Sequence, residues 1–297
     1  MIPFTVIGGY LGAGKTTLLN ELLRNANGRK LALLINDFGE INIDALLIES
    51  REDNRINLSN GCICCTLSDG FHAAIESLTE AAPDQIIVEA SGVADVHTLA
   101  QYGHSPQLQL DGVIVLADAE TVRIKSKDKF VGRTIQRQLA AADIIVANKM
   151  DLLDKATQAE VISWLETHYP AAVICPAING QVPLHLVMGV HLVDKAATTD
   201  SGHAHFTRWS WQQPAGVGVE DLQQFLAHLP PEVLRLKGTL SQPDGTRVIQ
   251  VVGQRQEIRS APEITAEGLT LVAIGVEGQL ECAQLDQAAG RFFKPDP

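Results

Sequence analysis

The 297-residue chain is poor in aromatic residues, which make up 5% of it, and it has no apolar run long enough to span a bilayer. It is also short of positive charge: 23 Lys and Arg stand against 35 Asp and Glu, giving a formal net charge of -12. Binding to nucleic-acid phosphates needs clustered Lys and Arg. The composition therefore predicts neither a membrane-spanning helix nor nucleic acid as the main partner.

The first four residues include no basic leader and no cleavage site, and a phosphate-loop pattern already opens at Gly9. We therefore expect no signal peptide and a cytoplasmic protein. Cysteine is scarce as well, with five residues, three of which cluster at Cys62, Cys64 and Cys65. This spacing disfavours a disulfide framework and leaves a reduced metal site or reactive thiols as interpretations.

Short apolar runs alternate with helical patterns over the first two thirds of the chain. Such runs are typical of strands buried on both faces of a parallel sheet. The alternation predicts a doubly wound, mostly parallel α/β domain with right-handed crossovers. The predicted strands cover residues 2–7, 31–35, 86–88, 113–117, 144–147 and 172–174.

The pattern changes after a small, polar stretch without period that begins at residue 196. Leu222, Phe225 and Leu226 then follow helical spacing, and strand patterns surround them. We expect a first domain over 1–195, a linker over 196–205 and a smaller α+β domain with an antiparallel sheet over 206–297. The predicted elements of this domain are strands 206–211, 233–240, 247–252 and 269–274, and a closing helix over 281–289.

Residues 9–16, Gly-Tyr-Leu-Gly-Ala-Gly-Lys-Thr, fit the phosphate-loop pattern G-x-x-x-x-G-K-[ST] between a strand and an amphipathic helix. Its glycines let several backbone N–H groups converge on one phosphate, and the helix N-terminus adds a favourable field. Lys15 is predicted to reach the β- and γ-phosphates, and the Thr16 hydroxyl to bind Mg²⁺. The first domain is therefore expected to have the P-loop NTPase fold.

A carboxylate is also expected near the magnesium ion, and two buried strands end in one. Glu89 ends the predicted strand 86–88, and Asp118 ends the strand 113–117. Glu89 is favoured because the E-x-x-G spacing adds Gly92, whose N–H can sense the γ-phosphate.

Residues 148–151, Asn-Lys-Met-Asp, fit the N-K-x-D pattern of a guanine-binding turn and follow a buried strand. Asp151 can accept hydrogen bonds from N1–H and the exocyclic amine of guanine, whereas adenine offers no such pair. Charge-assisted bonds contribute about 1.5–3 kcal/mol each, so a preference for GTP over ATP is expected. Lys149 can lie over the base, and Asn148 can tie the turn to the phosphate loop. The alternative is a strand-end turn with a helix cap at Asp151.

Three thiols within four residues, Cys62, Cys64 and Cys65, form the most unusual stretch. Soft thiolates favour Zn²⁺, Cu(I) and, less strongly, Co²⁺ or Ni²⁺. Ligand softness and cellular availability make Zn²⁺ the first expectation and Co²⁺ the second. A fourth ligand that can exchange is expected from Glu40, a histidine or water. A structural or redox role for the thiols is the alternative.

The remaining cysteines and one histidine pair are less informative. Cys175 and Cys282 lie in apolar stretches and are predicted to be plain buried thiols. His203 and His205 either collect metal or are two solvated histidines.

Together these motifs resemble the CobW-like family of P-loop GTPases, relatives of the hydrogenase and urease nickel-insertion GTPases. The matching segments are 8–17, 36–40 (Asn-Asp-Phe-Gly-Glu), 61–65 (Gly-Cys-Ile-Cys-Cys), 89–92, 148–151 and, in the C-terminal part, 235–238 (Arg-Leu-Lys-Gly). The resemblance implies a GTP-dependent metal chaperone in which the three thiols bind the metal, with Glu40 as a nearby ligand. Asp37 and Glu40 would belong to the segment that changes with nucleotide. The long His-rich tract of many relatives is absent, and Ile35 stands where some have Glu.

The expected function is that of a GTPase with slow GTP hydrolysis. It would bind a metal ion while GTP is bound and pass it to a client metalloprotein after hydrolysis. Slow turnover is expected because no Gln follows at the usual water-orienting place beside Gly92, and Asp37 is the candidate for placing the water. A metal sensor or buffer with structural nucleotide, and a small-molecule kinase of the P-loop type, stay open, as does a nucleotide-dependent homodimer.

The predicted catalytic residues are Lys15, Thr16, Asp37 and Glu89. The predicted nucleotide-binding residues are Gly9, Gly12, Ala13, Gly14, Lys15, Thr16, Thr17, Gly92, Asn148, Lys149 and Asp151. The predicted metal ligands are Cys62, Cys64, Cys65 and Glu40, with Thr16 for Mg²⁺.

Overall fold

The computed structural model describes residues 1–26, 29–35, 55–57, 69–182, 186–187, 206–214, 216–261 and 264–293. The chain divides into two compact units, Met1–Met188 and Gly189–Pro297. The predicted linker, 196–205, lies outside the described residues. Each unit is built on its own sheet.

The first unit contains a seven-stranded sheet in which every described pairing is parallel. Its strands are β1 Ile2–Gly9, β2 Leu31–Ile35, β3 Arg55–Asn57, β4 Gln85–Glu89, β5 Leu108–Asp118, β6 Ile144–Asn148 and β7 Val173–Pro176. Their order across the sheet is β3-β2-β4-β1-β5-β6-β7. All residues of β4 and β6 are buried, as expected for strands covered by helices on both faces. The predicted α/β class is confirmed.

Helices connect these strands and cover the sheet. They are α1 Lys15–Arg24, α2 Asp69–Glu80, α3 Val96–Gln101, α4 Val122–Lys125, α5 Gly132–Ala140 and α6 Lys155–His168, with short 3-10 turns at Tyr102–His104 and Met150–Leu152. Asp154 caps α6 by accepting hydrogen bonds from the N–H groups of Ala156 and Thr157. The bond from Thr157 lowers the pKa of the Asp154 carboxyl. None of the described helices is both long and apolar enough to cross a membrane.

Two strands of the first unit differ from the sequence prediction by more than two residues at an end. β5 begins at Leu108 rather than at residue 113. The prediction missed its first residues because the polar Gln109 and Asp111 interrupt the apolar run, although both are buried inside the strand. The amide nitrogen of Gln85 lies 3.4 Å from an Asp111 carboxylate oxygen and 2.7 Å from the Thr5 hydroxyl. The short β3 was not predicted, since it carries one apolar residue between Arg and Asn and gives no apolar run.

The second unit contains a five-stranded antiparallel sheet, which confirms the predicted α+β class. Its elements are β8 Phe206–Gln213, α7 Val219–Ala227, β9 Val233–Gln242, β10 Gly245–Val252, β11 Arg255–Ser260, β12 Leu269–Val276 and α8 Cys282–Phe292. The strand order is β11-β10-β9-β12-β8. Apolar residues of both helices, such as Phe225 and Leu285, share one buried cluster with Leu236 and Leu271 of the sheet. β11 was not predicted because it is an edge strand with three charged residues and one apolar residue, so it gives no apolar run or alternation.

Gly238 lies in β9, in register with Leu271 of the neighbouring strand β12. A Cβ added there would overlap the backbone carbonyl oxygen of Thr270 and the side chain of Leu271. We expect Gly238→Ala to lower the stability of the second unit by about 1–3 kcal/mol, because the backbone must move to admit the methyl group. Thermal and urea unfolding of the full chain measures the change.

The matched control is Gly290→Ala, within α8. A Cβ at Gly290 meets no atom within 4 Å, and alanine is the better helix former. The control should leave the unfolding midpoint unchanged or raise it. Equal midpoints for Gly238→Ala and the wild type would contradict the close approach of β9 and β12.

Candidate nucleotide-binding site

The phosphate loop joins β1 to α1 and follows a path that only glycine adopts easily. The φ angles of Gly9, Gly12 and Gly14 are 136°, 79° and 103°. A Cβ at Gly9 would lie 2.6 Å from the Leu116 carbonyl oxygen, and one at Gly14 would overlap the Asn148 amide. All three positions therefore favour glycine for backbone conformation, and Gly9 and Gly14 also require it for space. The loop ends at the N-terminus of α1, where a phosphate is favoured.

Lys15 and Glu89 lie together beside this loop. The Lys15 ammonium donates a hydrogen bond to the Gly9 carbonyl oxygen at 3.0 Å and lies 3.9 Å from a Glu89 carboxylate oxygen. Both side chains are buried, because β1 and β4 are neighbours and Glu89 is in register with Ile7. The predicted lysine and acidic residue of the phosphate site are thus brought together at the carboxyl ends of two parallel strands.

The donor set near the loop suits a hard divalent cation. Thr16, in the first turn of α1, carries a hydroxyl, and Glu89 carries a carboxylate. Hydroxyl and carboxylate oxygens are ligands that Mg²⁺ prefers. The residues present therefore fit magnesium at this place, while the neighbouring Thr17 is exposed.

Asp118, the competing candidate for magnesium, has a different partner. Its carboxylate lies 2.7 Å from the Lys149 ammonium and also accepts a hydrogen bond from the Glu120 N–H at 3.0 Å. Asp118 is in register with Asn148, so the ends of β5 and β6 place the two charged side chains side by side. The geometry therefore assigns Asp118 to the support of Lys149 rather than to a metal.

The Asn148 side chain joins the phosphate loop to the turn after β7. Its amide nitrogen donates to the Ala13 carbonyl oxygen at 2.9 Å, and its amide oxygen accepts from the Gly180 N–H at 2.8 Å. The side chain is 2% exposed. Gly180 has φ 66°, and a Cβ there would lie 3.0 Å from the backbone nitrogen of Leu18. One amide thus links three segments of the chain, namely the end of β6, the phosphate loop and the turn after β7.

The predicted guanine-binding turn, residues 148–151, continues from Asn148 through Lys149 to Asp151. Lys149 has φ 65°, an uncommon left-handed conformation for a residue other than glycine. Asp151 follows in the 3-10 turn Met150–Leu152 and is exposed, so its carboxylate is available to a ligand. The Met150 N–H donates to the Ala177 carbonyl oxygen at 3.1 Å, which joins this turn to the segment after β7.

A buried glutamine beside Gly92 escaped the sequence prediction. The Gln138 amide nitrogen donates to the carbonyl oxygens of Gly92 and Ala94, at 3.3 and 3.0 Å. Gln138 belongs to α5, far from Gly92 in sequence, which is why local spacing did not reveal it. The available signal was its place among Ile135 and Leu139, on the apolar face of the helix.

The predicted metal ligands Cys62, Cys64, Cys65 and Glu40 lie outside the described residues, as do Asp37, His203 and His205. Within the described ranges, no three His, Cys, Asp or Glu side chains are grouped so that they could hold a metal ion. The thiol cluster therefore stays a prediction from the sequence.

The two cysteines that the structure describes differ from each other. Cys175 is fully buried, as predicted, and desolvation raises the pKa of its thiol to about 12. It is therefore protonated and unreactive at neutral pH. Cys282 is only partly buried at the start of α8, so the prediction of a buried thiol was wrong for this residue. The first helical turn leaves one side of this residue open to solvent.

Family models match both parts of the chain. Residues 3–175 match the model described as CobW/HypB/UreG, nucleotide-binding domain, and residues 206–291 match the Cobalamin synthesis protein cobW C-terminal domain. The first match includes every described residue of the site except Ala177 and Gly180.

Curated relatives agree with these matches. The chain is 32% identical over 341 aligned positions to the zinc chaperone CobW of Sinorhizobium sp, with 95% of each protein covered. It is 36% identical over 266 positions to the zinc chaperone YjiA of Escherichia coli, which covers 80% of this chain and 81% of the relative. The zinc-regulated GTPase metalloprotein activator 1 of Dictyostelium discoideum is 28% identical over 65% of this chain and 49% of its own length.

The first family model covers more than half of the chain, and the second covers most of the remainder. The CobW protein of Sinorhizobium sp and YjiA, at 32% and 36% identity, align over most of both proteins. The protein therefore belongs to the CobW/HypB/UreG family of nucleotide-binding proteins and carries the CobW C-terminal domain.

Proposed function

We propose that this protein is a GTP-dependent metal chaperone, which binds Zn²⁺ through its cysteine cluster and delivers it to a client metalloprotein. The observation that carries the nucleotide part is the Asn148 amide, which joins the phosphate loop to the segment after β7. This link would hold the phosphate loop and the guanine-binding turn at a fixed separation. A guanine nucleotide, with phosphates at one end and the base at the other, requires such a separation. The names of the relatives, zinc chaperones and a zinc-regulated GTPase, support the metal part.

The phosphate end of the site uses groups that are already in place. Lys15 donates to the Gly9 carbonyl oxygen and would transfer this bond to the β- and γ-phosphates. Its side chain is 9% exposed, so little conformational freedom is lost when the phosphates bind. Thr16 and Glu89 would hold Mg²⁺, which neutralises the charge that develops on the phosphates.

The guanine end of the site depends on a carboxylate and on the support of Lys149. Asp151 is exposed and would accept hydrogen bonds from N1–H and the exocyclic amine of guanine. Asp118 holds the Lys149 ammonium at 2.7 Å, so the aliphatic part of Lys149 is fixed where it can cover the base. The arrangement favours GTP over ATP, because adenine offers no donor pair to Asp151.

Slow hydrolysis fits the side chains around Gly92. The nearby Gln138 is 2% exposed, and its amide nitrogen donates to two carbonyl oxygens, so the turn holds this side chain with little contact with solvent. We keep Asp37 as the candidate for that role. Slow turnover gives the triphosphate state a long lifetime, which a metal carrier needs while it searches for its client.

The metal would be bound by Cys62, Cys64 and Cys65, with Glu40 as an exchangeable ligand. Thiolate ligands favour Zn²⁺, with Co²⁺ as the second choice. In the sequence the cysteines lie between the phosphate loop and Glu89, so a change in nucleotide at these two elements can alter the arrangement of the thiols. Loss of the γ-phosphate would loosen the site and release the metal to the client.

Substitution of Asp151, the carboxylate proposed to bind guanine, tests the nucleotide assignment. Asp151→Asn replaces one acceptor oxygen by a donor, so GTP affinity should fall at least about tenfold as charge-assisted bonds are lost. Xanthosine triphosphate carries an oxygen where guanine carries the amine, and its affinity should rise. Calorimetric titration with GTP, xanthosine triphosphate and ATP measures the three affinities.

The matched control for this exchange is Asp154→Asn, three residues further along. Asn is as good a helix cap as Asp, so this variant should keep the wild-type nucleotide preference. If Asp151→Asn binds GTP as tightly as the wild type does, the guanine site lies elsewhere.

Removal of one cluster thiol tests the metal assignment. Purified protein is loaded with a GTP analogue and Zn²⁺, desalted and analysed for elemental zinc. Zinc bound per chain should fall below about half in Cys64→Ser, because a hydroxyl is a poor substitute for a thiolate ligand.

The comparison variant is Cys282→Ser, which removes a partly exposed thiol of the second unit. It should retain the wild-type zinc content. Unchanged zinc in Cys64→Ser would remove this thiol from the metal site.

A further inference from the structure

The segment after β4 forms a tight turn that fixes the direction of one backbone N–H. The Ala94 N–H donates to the Ser91 carbonyl oxygen at 3.0 Å, which closes a four-residue turn around Gly92. The Ser91 carbonyl and the Gly92 N–H belong to the same planar peptide unit and point in opposite directions. The bond that holds the carbonyl therefore also sets where the Gly92 N–H points.

Gln138 secures this turn from α5. Its amide nitrogen donates to the carbonyl oxygens of Gly92 and Ala94, the second and fourth residues of the turn. Only the nitrogen end of the amide can face two carbonyl oxygens, so these contacts fix the orientation of the group. With the side chain 2% exposed, water has little room to replace it.

The phosphate loop holds the same turn from another direction. Gly92 is buried, and a Cβ there would lie 2.9 Å from the Leu11 Cγ and 3.1 Å from the Leu11 backbone nitrogen. Leu11 belongs to the phosphate loop itself. Gly92 is therefore fixed both by the loop that receives phosphates and by Gln138.

We propose that Gln138 is a positioning residue that lets the protein distinguish GTP from GDP. It locks the turn so that the Gly92 N–H is presented to the γ-phosphate, a group that only the triphosphate carries. Without its two hydrogen bonds, the turn samples further conformations, and binding of the γ-phosphate must then order it. The α- and β-phosphates are bound by the phosphate loop and do not depend on Gln138. This inference rests on the proposed function, because it requires that a guanine nucleotide occupies the site.

The test compares two nucleotides on a variant that keeps the side-chain length but lacks the donor. In Gln138→Met, the dissociation constant of a non-hydrolysable GTP analogue should rise about three- to tenfold, the effect of one or two lost hydrogen bonds. The dissociation constant of GDP should change less than about twofold, because GDP has no γ-phosphate to meet Gly92. Calorimetric titration of the full chain with each nucleotide in the presence of Mg²⁺ gives both values.

The same helix offers a matched control in Gln136→Met. The Gln136 amide donates to the Ser126 carbonyl oxygen at 2.7 Å and not to the turn, so this variant should keep the wild-type ratio of the two constants. Equal weakening of both nucleotides by Gln138→Met would mean a merely structural role and would overturn the proposal. So would an unchanged ratio in a folded variant. Failure of the wild type to bind either nucleotide would instead overturn the proposed function, and this inference with it.

Discussion

The Asn148 side chain holds the two ends of the site at one separation, and the nucleotide assignment depends on it. An amide carries a donor nitrogen and an acceptor oxygen on separate atoms of one short side chain, and Asn148 uses both, toward Ala13 and Gly180. Aspartate could not donate to the Ala13 carbonyl oxygen, and the buried acceptor would then be left without a partner at a cost of about 1–3 kcal/mol. These two hydrogen bonds explain why position 148 is asparagine, in addition to its place in the N-K-x-D motif.

The sheet supplies the frame in which this interaction works. The strand order places β4, β1, β5 and β6 next to one another, and all four are parallel, so their carboxyl ends meet at one edge. The phosphate loop, Glu89, Asp118 and Asn148 each follow or end one of these strands. Ligands of open α/β sheets bind outside the carboxyl ends of the strands. Four short apolar runs in the sequence are therefore enough to bring distant polar residues together.

The sequence predicted those parts of the fold that depend on local pattern. Apolar runs located the strands that are buried on both faces, and glycine spacing located the phosphate loop. β3 and β11 were missed because pairing with a neighbour, and not their own composition, makes them strands. The role of Asp118 was left open because its partner, Lys149, is 31 residues away and meets it only when β5 and β6 pair. Gln138 was missed for the same reason, since helix α5 meets the turn around Gly92 only in the folded chain.

The central claim is that the bound nucleotide controls the affinity of the protein for a metal ion. By linkage, a nucleotide that raises the affinity for metal must itself bind more tightly when the metal is present, by the same factor. The most direct test measures the Zn²⁺ dissociation constant of the full chain with a GTP analogue, with GDP and without nucleotide. The account predicts the tightest binding with the GTP analogue, by about 5- to 150-fold over GDP. Equal dissociation constants in all three states would contradict it.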